Sequence, residues 1–196
     1  MGKQERNSCA RNRSATPYDT GQLVWQSKIR RRHVQIRLIV LDVDGVLTDG
    51  TVLLLPGGDE PRSVHFHDLD AVAEARGYGL AVAVLSGEET PAVQRVAQRF
   101  GVSEAIWGAK DKLAGLRELT NRLGIAMEET CYVGDADRDG PALEAAGIGL
   151  APSDATAAAR ANADHVLTAR GGHGVVEEAM ALLQNTCDQA GGRGLP

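Results

Sequence analysis

No stretch of this chain approaches the roughly 18–20 consecutive apolar residues of a membrane-spanning helix, which argues against a helical membrane protein. The opening "MGKQERNSCARNRS" lacks the apolar centre of a secretory signal, and Arg6 stands where a myristoylation motif requires Ser or Thr. Cysteine is scarce: Cys9, Cys131 and Cys187 are odd in number and widely spaced. That excludes a disulfide framework and a cysteine-built zinc site, and it points to a reducing, cytoplasmic setting. Aromatic residues make up only 4 %, while the hydrophobic content of 43 % is that of an ordinary globular protein. At 196 residues the chain is long enough for one domain with a substantial core.

Charge is present but unevenly divided. Residues 1–37 hold nine Lys or Arg against two Asp or Glu, a balance of +7 in a chain of net charge −5, so the remainder carries −12. The basic run "KIRRRH" reads as part of a leader outside the domain, and an acidic body is a poor docking surface for nucleic acid. It suits recruitment of a divalent cation. The expected organisation is an arm over 1–35, a domain over 36–185 and a loose tail over 186–196.

Within the domain, short apolar runs alternate with helical stretches. "RLIVLDV", "LAVAVLSG", "EAIWG", "TCYVGD" and "IGLAP" read as strands, with "HVLT" as an edge strand. "TVLLLPGGDEPRSVHFHD" reads as a hairpin turning at Pro56–Asp59. Helices are expected over "DAVAEARGYG", "TPAVQRVAQRFG" (capped by Thr90), "KDKLAGLRELTNRLG", "DGPALEAAG", "ATAAARANA" and "GVVEEAMALLQNT". This alternation predicts an α/β fold with a parallel sheet and right-handed crossovers. In such sheets ligands sit at the carboxyl ends of strands, so "DVDG", "SGE" and "GDADRD" should converge on one crevice.

Asp42 and Asp44 are two residues apart and point to the same side of an extended strand tip. Two close carboxylates repel unless a cation sits between them. A turn-forming Asp before Gly45 accounts for one of them, not both. The topology adds Asp135 and Asp139, and a cluster of that size suits a hard cation such as Mg²⁺. His65 and His67 alternate along the hairpin. They lack a third ligand for zinc and read as a polar face, with His67 turned toward substrate.

Four segments together resemble one family. "DVDGVLTDG" is similar to the first motif of haloacid-dehalogenase-type phosphatases, "VLSG" to the second, Lys112 to the third motif's lysine and "GDADRD" to the fourth. All four stand in the family's order, and the match covers about residues 36–184. The resemblance implies a Rossmannoid three-layer α/β/α sandwich and an aspartyl-phosphate mechanism. It makes Asp42 the nucleophile and Asp44 the general acid and base. Mg²⁺ would be held by Asp42, the Asp44 carbonyl and Asp135, with Lys112 as a further positive charge. Ser86 and the amides near Gly45 and Gly87 would hold phosphoryl oxygens, and Asp139 would orient Lys112 or a metal-bound water.

Only 41 residues separate Asp44 from Ser86, and 22 separate Lys112 from Asp135, which leaves no room for a cap domain. That absence resembles the capless subclass that includes octulosonate 8-phosphate and nonulosonate 9-phosphate phosphatases. The resemblance extends to "VHFHDLDAV" around Asp68 and to "RGGHGVVEE". There Gly171, Gly172 and His173 correspond to a segment that closes a neighbouring subunit's site in a homotetramer. Glu88 stands where octulosonate enzymes commonly carry an Arg for the substrate carboxylate. Glu88 with Arg99, eleven residues on, resembles the nine-carbon enzymes instead. The implied activity is Mg²⁺-dependent hydrolysis of a phosphorylated 2-keto-3-deoxy sugar acid, leaning toward nonulosonate 9-phosphate. The alternatives are a phosphatase of another small phosphometabolite, or a non-catalytic phosphate-binding module on the same fold.

Overall fold

The computed structural model describes residues 35–189; the basic arm falls outside it save for Gln35, and so does the end of the tail. Strand β1 (Leu38–Leu41) leads through a single wide turn at 43–47 and a long loop into α1 (Phe66–Gly77) and β2 (Ala81–Leu85). Helix α2 (Pro91–Arg99), β3 (Glu104–Ile106) and α3 (Lys112–Leu123) follow. The rest of the chain continues the alternation through β4 (Thr130–Val133), α4 (Gly140–Ala145), β5 (Ile148–Ala151), α5 (Ala157–Asn162), β6 (His165–Val166) and α6 (Val175–Gln189). Helix α6 therefore runs past the expected boundary at residue 185.

All six strands are parallel, in the order β3-β2-β1-β4-β5-β6. Every residue of β1 is buried because helices cover both faces, which explains its continuous aliphatic run. Ile39 and Leu41 point into a layer shared with α1, α2 and α6. Leu38 and Val40 point into the opposite layer with Leu116 and Leu119 of α3, Leu143 of α4 and Ala159 of α5. The result is the expected three-layer sandwich with no cap domain. The strand order reverses between β1 and β4, so a crevice opens at their carboxyl ends.

The segment expected as a hairpin differs. It turns at Pro56–Gly58, closed by Gly58 N–H donating to the Leu55 carbonyl (2.9 Å) and Leu55 N–H to that of Asp59 (3.2 Å). No strands flank the turn. Val52 to Leu55 are exposed and have no layer to pack on, so a two-stranded ladder gains little there. His65 and His67 do not alternate on a strand either. His65 precedes the first turn of α1 and His67 lies within it, their rings edge to face at 5.0 Å.

Candidate active site

The site is assembled where three strands end. Asp42 follows β1 directly, and its Oδ1 accepts from the Val43 N–H at 2.7 Å. Lys112 opens α3, whose first turn is capped by Asp111 through the Ala114 N–H. From there the Lys112 ammonium reaches across the strand tips to three oxygens. These are the Leu85 carbonyl (2.8 Å), Asp42 Oδ1 (2.8 Å) and Asp139 Oδ1 (3.3 Å). The Lys112 side chain is 1 % exposed, so these contacts replace its lost hydration.

Asp139 is fully buried and fully engaged. Its Oδ1 accepts from the Tyr132 hydroxyl as well as Lys112, and its Oδ2 from the N–H groups of Ala136 (2.9 Å) and Asp135 (3.2 Å). It thus ties Lys112 to the loop that presents Asp135. Asp135 Oδ1 is buried and has no hydrogen-bond partner among the described residues. One oxygen each from Asp42, Asp135 and Asp139 lie within 4.8 Å of one another. Burial pushes the Asp42 carboxyl up to about 6, against the pull of the Lys112 charge. Burial, with the charges of Asp42 and Asp139, pushes Asp135 up to about 7. Three carboxylates around one ammonium leave excess negative charge, and one buried carboxylate oxygen among them has no partner among the described residues. Those features fit a divalent cation held by oxygen ligands. Asp42 and Asp135 have the free oxygens to hold it; Asp139 does not.

Asp44 sits on the turn after Asp42. Its Oδ1 accepts from Arg62 Nε at 2.8 Å and from the Thr48 hydroxyl at 3.4 Å. Gly45 adopts φ +91°, and a Cβ there would overlap the Asp135 carboxylate. Ser86, almost completely buried after β2, accepts the Glu88 N–H on its hydroxyl at 3.0 Å. A cleft of about 530 Å³ joins Asp42, Asp44, Ser86, Gly87, Glu88, Lys112 and Asp135, with Arg62 and Arg138 also on its wall.

Some expected site residues lie elsewhere. Asp68 is fully buried in α1, where its carboxylate accepts from the N–H groups of Gly174 (3.0 Å), Val176 (2.8 Å) and Glu177 (3.1 Å) at the start of α6. It caps a helix and does not meet the cleft. His67 pairs with Glu177, its Nδ1 3.2 Å from the carboxylate, away from the cleft. Arg99 ends α2 with its guanidinium over the Phe66 ring. Gly171 and Gly172 press against the chain's own turn at Gly45–Asp49, with the Gly172 N–H bonded to the Val46 carbonyl at 2.8 Å. His173 folds its ring nitrogen onto the Gly171 carbonyl at 2.7 Å. Within one subunit this segment braces the Asp42–Asp44 turn from behind.

Arg62, Thr48, Tyr132 and Arg138 were not singled out from the sequence. Arg62 lies outside every motif, and Thr48 lies inside "DVDGVLTDG" but reads there as a turn residue. Tyr132 reads as an ordinary apolar strand residue. Arg138 occupies a variable position inside "GDADRD" and carries no local signal.

The family model for haloacid dehalogenase-like hydrolases matches residues 100–178. Over 163 residues the chain is 33 % identical to the 3-deoxy-D-manno-octulosonate 8-phosphate phosphatase of Escherichia coli K12, spanning 82 % of this chain and 87 % of that one. This chain belongs to the haloacid dehalogenase-like hydrolase family. The Haemophilus influenzae octulosonate 8-phosphate phosphatase is 34 % identical over 148 residues, 76 % of this chain and 82 % of the relative. In three dimensions the fold matches the Moraxella catarrhalis enzyme solved with magnesium, phosphate and 3-deoxy-D-manno-octulosonate, at a TM-score of 0.78. The two are 30 % identical, over 84 % of this chain and 95 % of that one. A cobalt-bound form of the Haemophilus influenzae enzyme matches at 0.75 with 30 % identity, over 83 % of this chain and 93 % of that one. The carboxylates, lysine and serine of this family member therefore stand on a scaffold shared over 84 % of this chain with the Moraxella catarrhalis phosphatase.

Proposed function

We propose that this chain is a Mg²⁺-dependent phosphomonoesterase acting on a phosphorylated 2-keto-3-deoxy sugar acid, octulosonate 8-phosphate or nonulosonate 9-phosphate, through an aspartyl-phosphate on Asp42. The observation that carries this is the buried Asp42–Lys112–Asp139 cluster beside the unpartnered Asp135 oxygen at the floor of an open cleft.

Lys112 holds one Asp42 oxygen and leaves the other to attack phosphorus. The P–O bond to the sugar breaks as the Asp42–phosphorus bond forms, and Asp44 gives its proton to the departing alkoxide. Asp44 then takes a proton from water, whose oxygen attacks phosphorus and releases Asp42. Arg62 and Thr48 fix the Asp44 carboxyl for both transfers. Ser86 and the Gly87 amide face the transferring phosphoryl oxygens. Asp42 and Asp135 would hold Mg²⁺, which neutralises charge between the phosphate dianion and the attacking carboxylate. Carboxylate chemistry without a cap leaves the cleft open to water. A neighbouring subunit in a homotetramer would cover it.

Phosphate release from octulosonate 8-phosphate and nonulosonate 9-phosphate tests the assignment directly. Asp42→Asn should fold normally, bind Mg²⁺ more weakly and lose turnover by at least about 10³-fold. Activity near wild type in that variant removes Asp42 as nucleophile. No hydrolysis of any phosphomonoester by the wild type with Mg²⁺ removes the enzyme altogether.

A further inference from the structure

Three cationic side chains line the cleft: Arg62, Lys112 and Arg138. Two are committed within the chain. Lys112 is held by Asp42 and Asp139, and Arg62 by Asp44 and, at 3.6 Å, by Glu60. Arg138 has no carboxylate or hydrogen-bond partner among the described residues. It stands on the short turn Asp137–Asp139 after β4. Its guanidinium lies over the loop after β2, where a Cβ on Gly87 would sit 2.9 Å from Nη1. Gly87 therefore leaves the room that the guanidinium occupies. Glu88 on the same wall is neutralised in place, its Oε1 3.1 Å from the Lys110 ammonium, so it does not claim Arg138.

We propose that Arg138 is the specificity residue that binds the carboxylate of the substrate, at the end of the molecule remote from the phosphate. This rests on the sugar-acid assignment above. A phosphorylated sugar acid brings two anionic groups into the cleft. The phosphoryl group belongs at Asp42, Lys112 and Ser86, and Arg138 is the cation left for the second. A planar guanidinium meets a carboxylate through two parallel N–H···O bonds, which suits a ligand that must be held by its far end. The position also removes the need for an arginine directly after Gly87, because Arg138 delivers its guanidinium over that residue from the β4 side.

The test compares kcat/KM for octulosonate 8-phosphate and nonulosonate 9-phosphate with that for arabinose 5-phosphate, a phosphorylated aldose that carries no keto acid. It uses the full-length wild type, Arg138→Gln and Arg138→Lys. In the wild type the acid is expected to be preferred. In Arg138→Gln the preference should fall by about 10- to 100-fold, mainly through a raised KM for the acid. Arg138→Lys should recover part of it, and inhibition by unphosphorylated octulosonate should weaken in parallel. A wild-type preference that survives in Arg138→Gln overturns the assignment of Arg138 and leaves the sugar-acid substrate standing. An equal fall in kcat on both esters also overturns it, placing the guanidinium on the phosphoryl group. A wild type that prefers neither octulosonate 8-phosphate nor nonulosonate 9-phosphate over arabinose 5-phosphate removes both the sugar-acid substrate and the role of Arg138.

Discussion

Gly45 stands at φ +91° with the Asp135 carboxylate where its Cβ would be, so Gly45→Ala meets two costs at once. The left-handed backbone costs about 1–2 kcal/mol for a residue with a Cβ. The collision then displaces either Asp135 or the Asp42–Asp44 turn. Loss of most phosphatase activity is expected, with Mg²⁺ affinity lowered in calorimetry; wild-type metal affinity would show that the turn absorbs the methyl group. The carboxylates also set a pH dependence. Asp42 is raised to about 6 and Asp135 to about 7, both above the unfolded value of 3.8. In the metal-free protein their contribution to stability is therefore complete below about pH 3.8 and is lost as pH rises through 6 and 7. Metal binding requires the ionised forms, so the gain in Tm on adding MgCl2 should be larger at pH 8 than at pH 5.5. Thermal scans with and without Mg²⁺ at the two pH values check this, and an equal gain at both contradicts it.

At the scale of elements, Asp68 shows how a residue that resembles a substrate contact can be structural. Three N–H groups at the start of α6 point at its buried carboxylate from more than a hundred residues away in sequence. Those groups have no intrahelical partners, and the negative charge opposes the helix dipole favourably. Asp68→Ala should cost roughly 1–3 kcal/mol in denaturant unfolding. Asp68→Asn should cost less, since one acceptor remains. The loss should spread to catalysis, because the same segment presses Gly171 and Gly172 onto the Gly45 turn. Hydrogen exchange at the start of α6 and in residues 43–48 should accelerate together; protection unchanged at 43–48 would uncouple the two. Only a register specified in space brings Asp68 to this end of α6. Residue spacing within "HDLDA" and "RGGHG" contains no trace of it.

Across the molecule, the open cleft and the exposed Val52–Leu55 stretch lie on the same side, with Val52 and Leu54 on the cleft wall. A single subunit leaves those side chains in water. Light scattering should find a tetramer in solution, and Leu54→Glu should shift it toward smaller species with reduced kcat/KM. A fully active wild-type monomer would show that the cleft needs no neighbour. Among the described residues no helix is long and apolar enough to cross a membrane, in line with the chain's lack of long apolar runs.

The sequence by itself determined the alternation of strands and helices, the parallel sheet and the convergence of Asp42, Asp44, Ser86, Lys112 and Asp135 on one cleft. Each of those sits at the tip of a strand or the start of a helix, where buried aliphatic runs and local spacing specify the backbone. Tertiary structure alone decided which charges meet. Arg62 reaches Asp44 across 18 residues, Tyr132 and Lys112 both meet Asp139, and Asp68 caps α6. It likewise separated Arg138, standing alone over Gly87, from Arg99, which is spent on Phe66. Side-chain partners depend on where the sheet places distant segments in space, and a burial pattern read along one chain holds no coordinate for that.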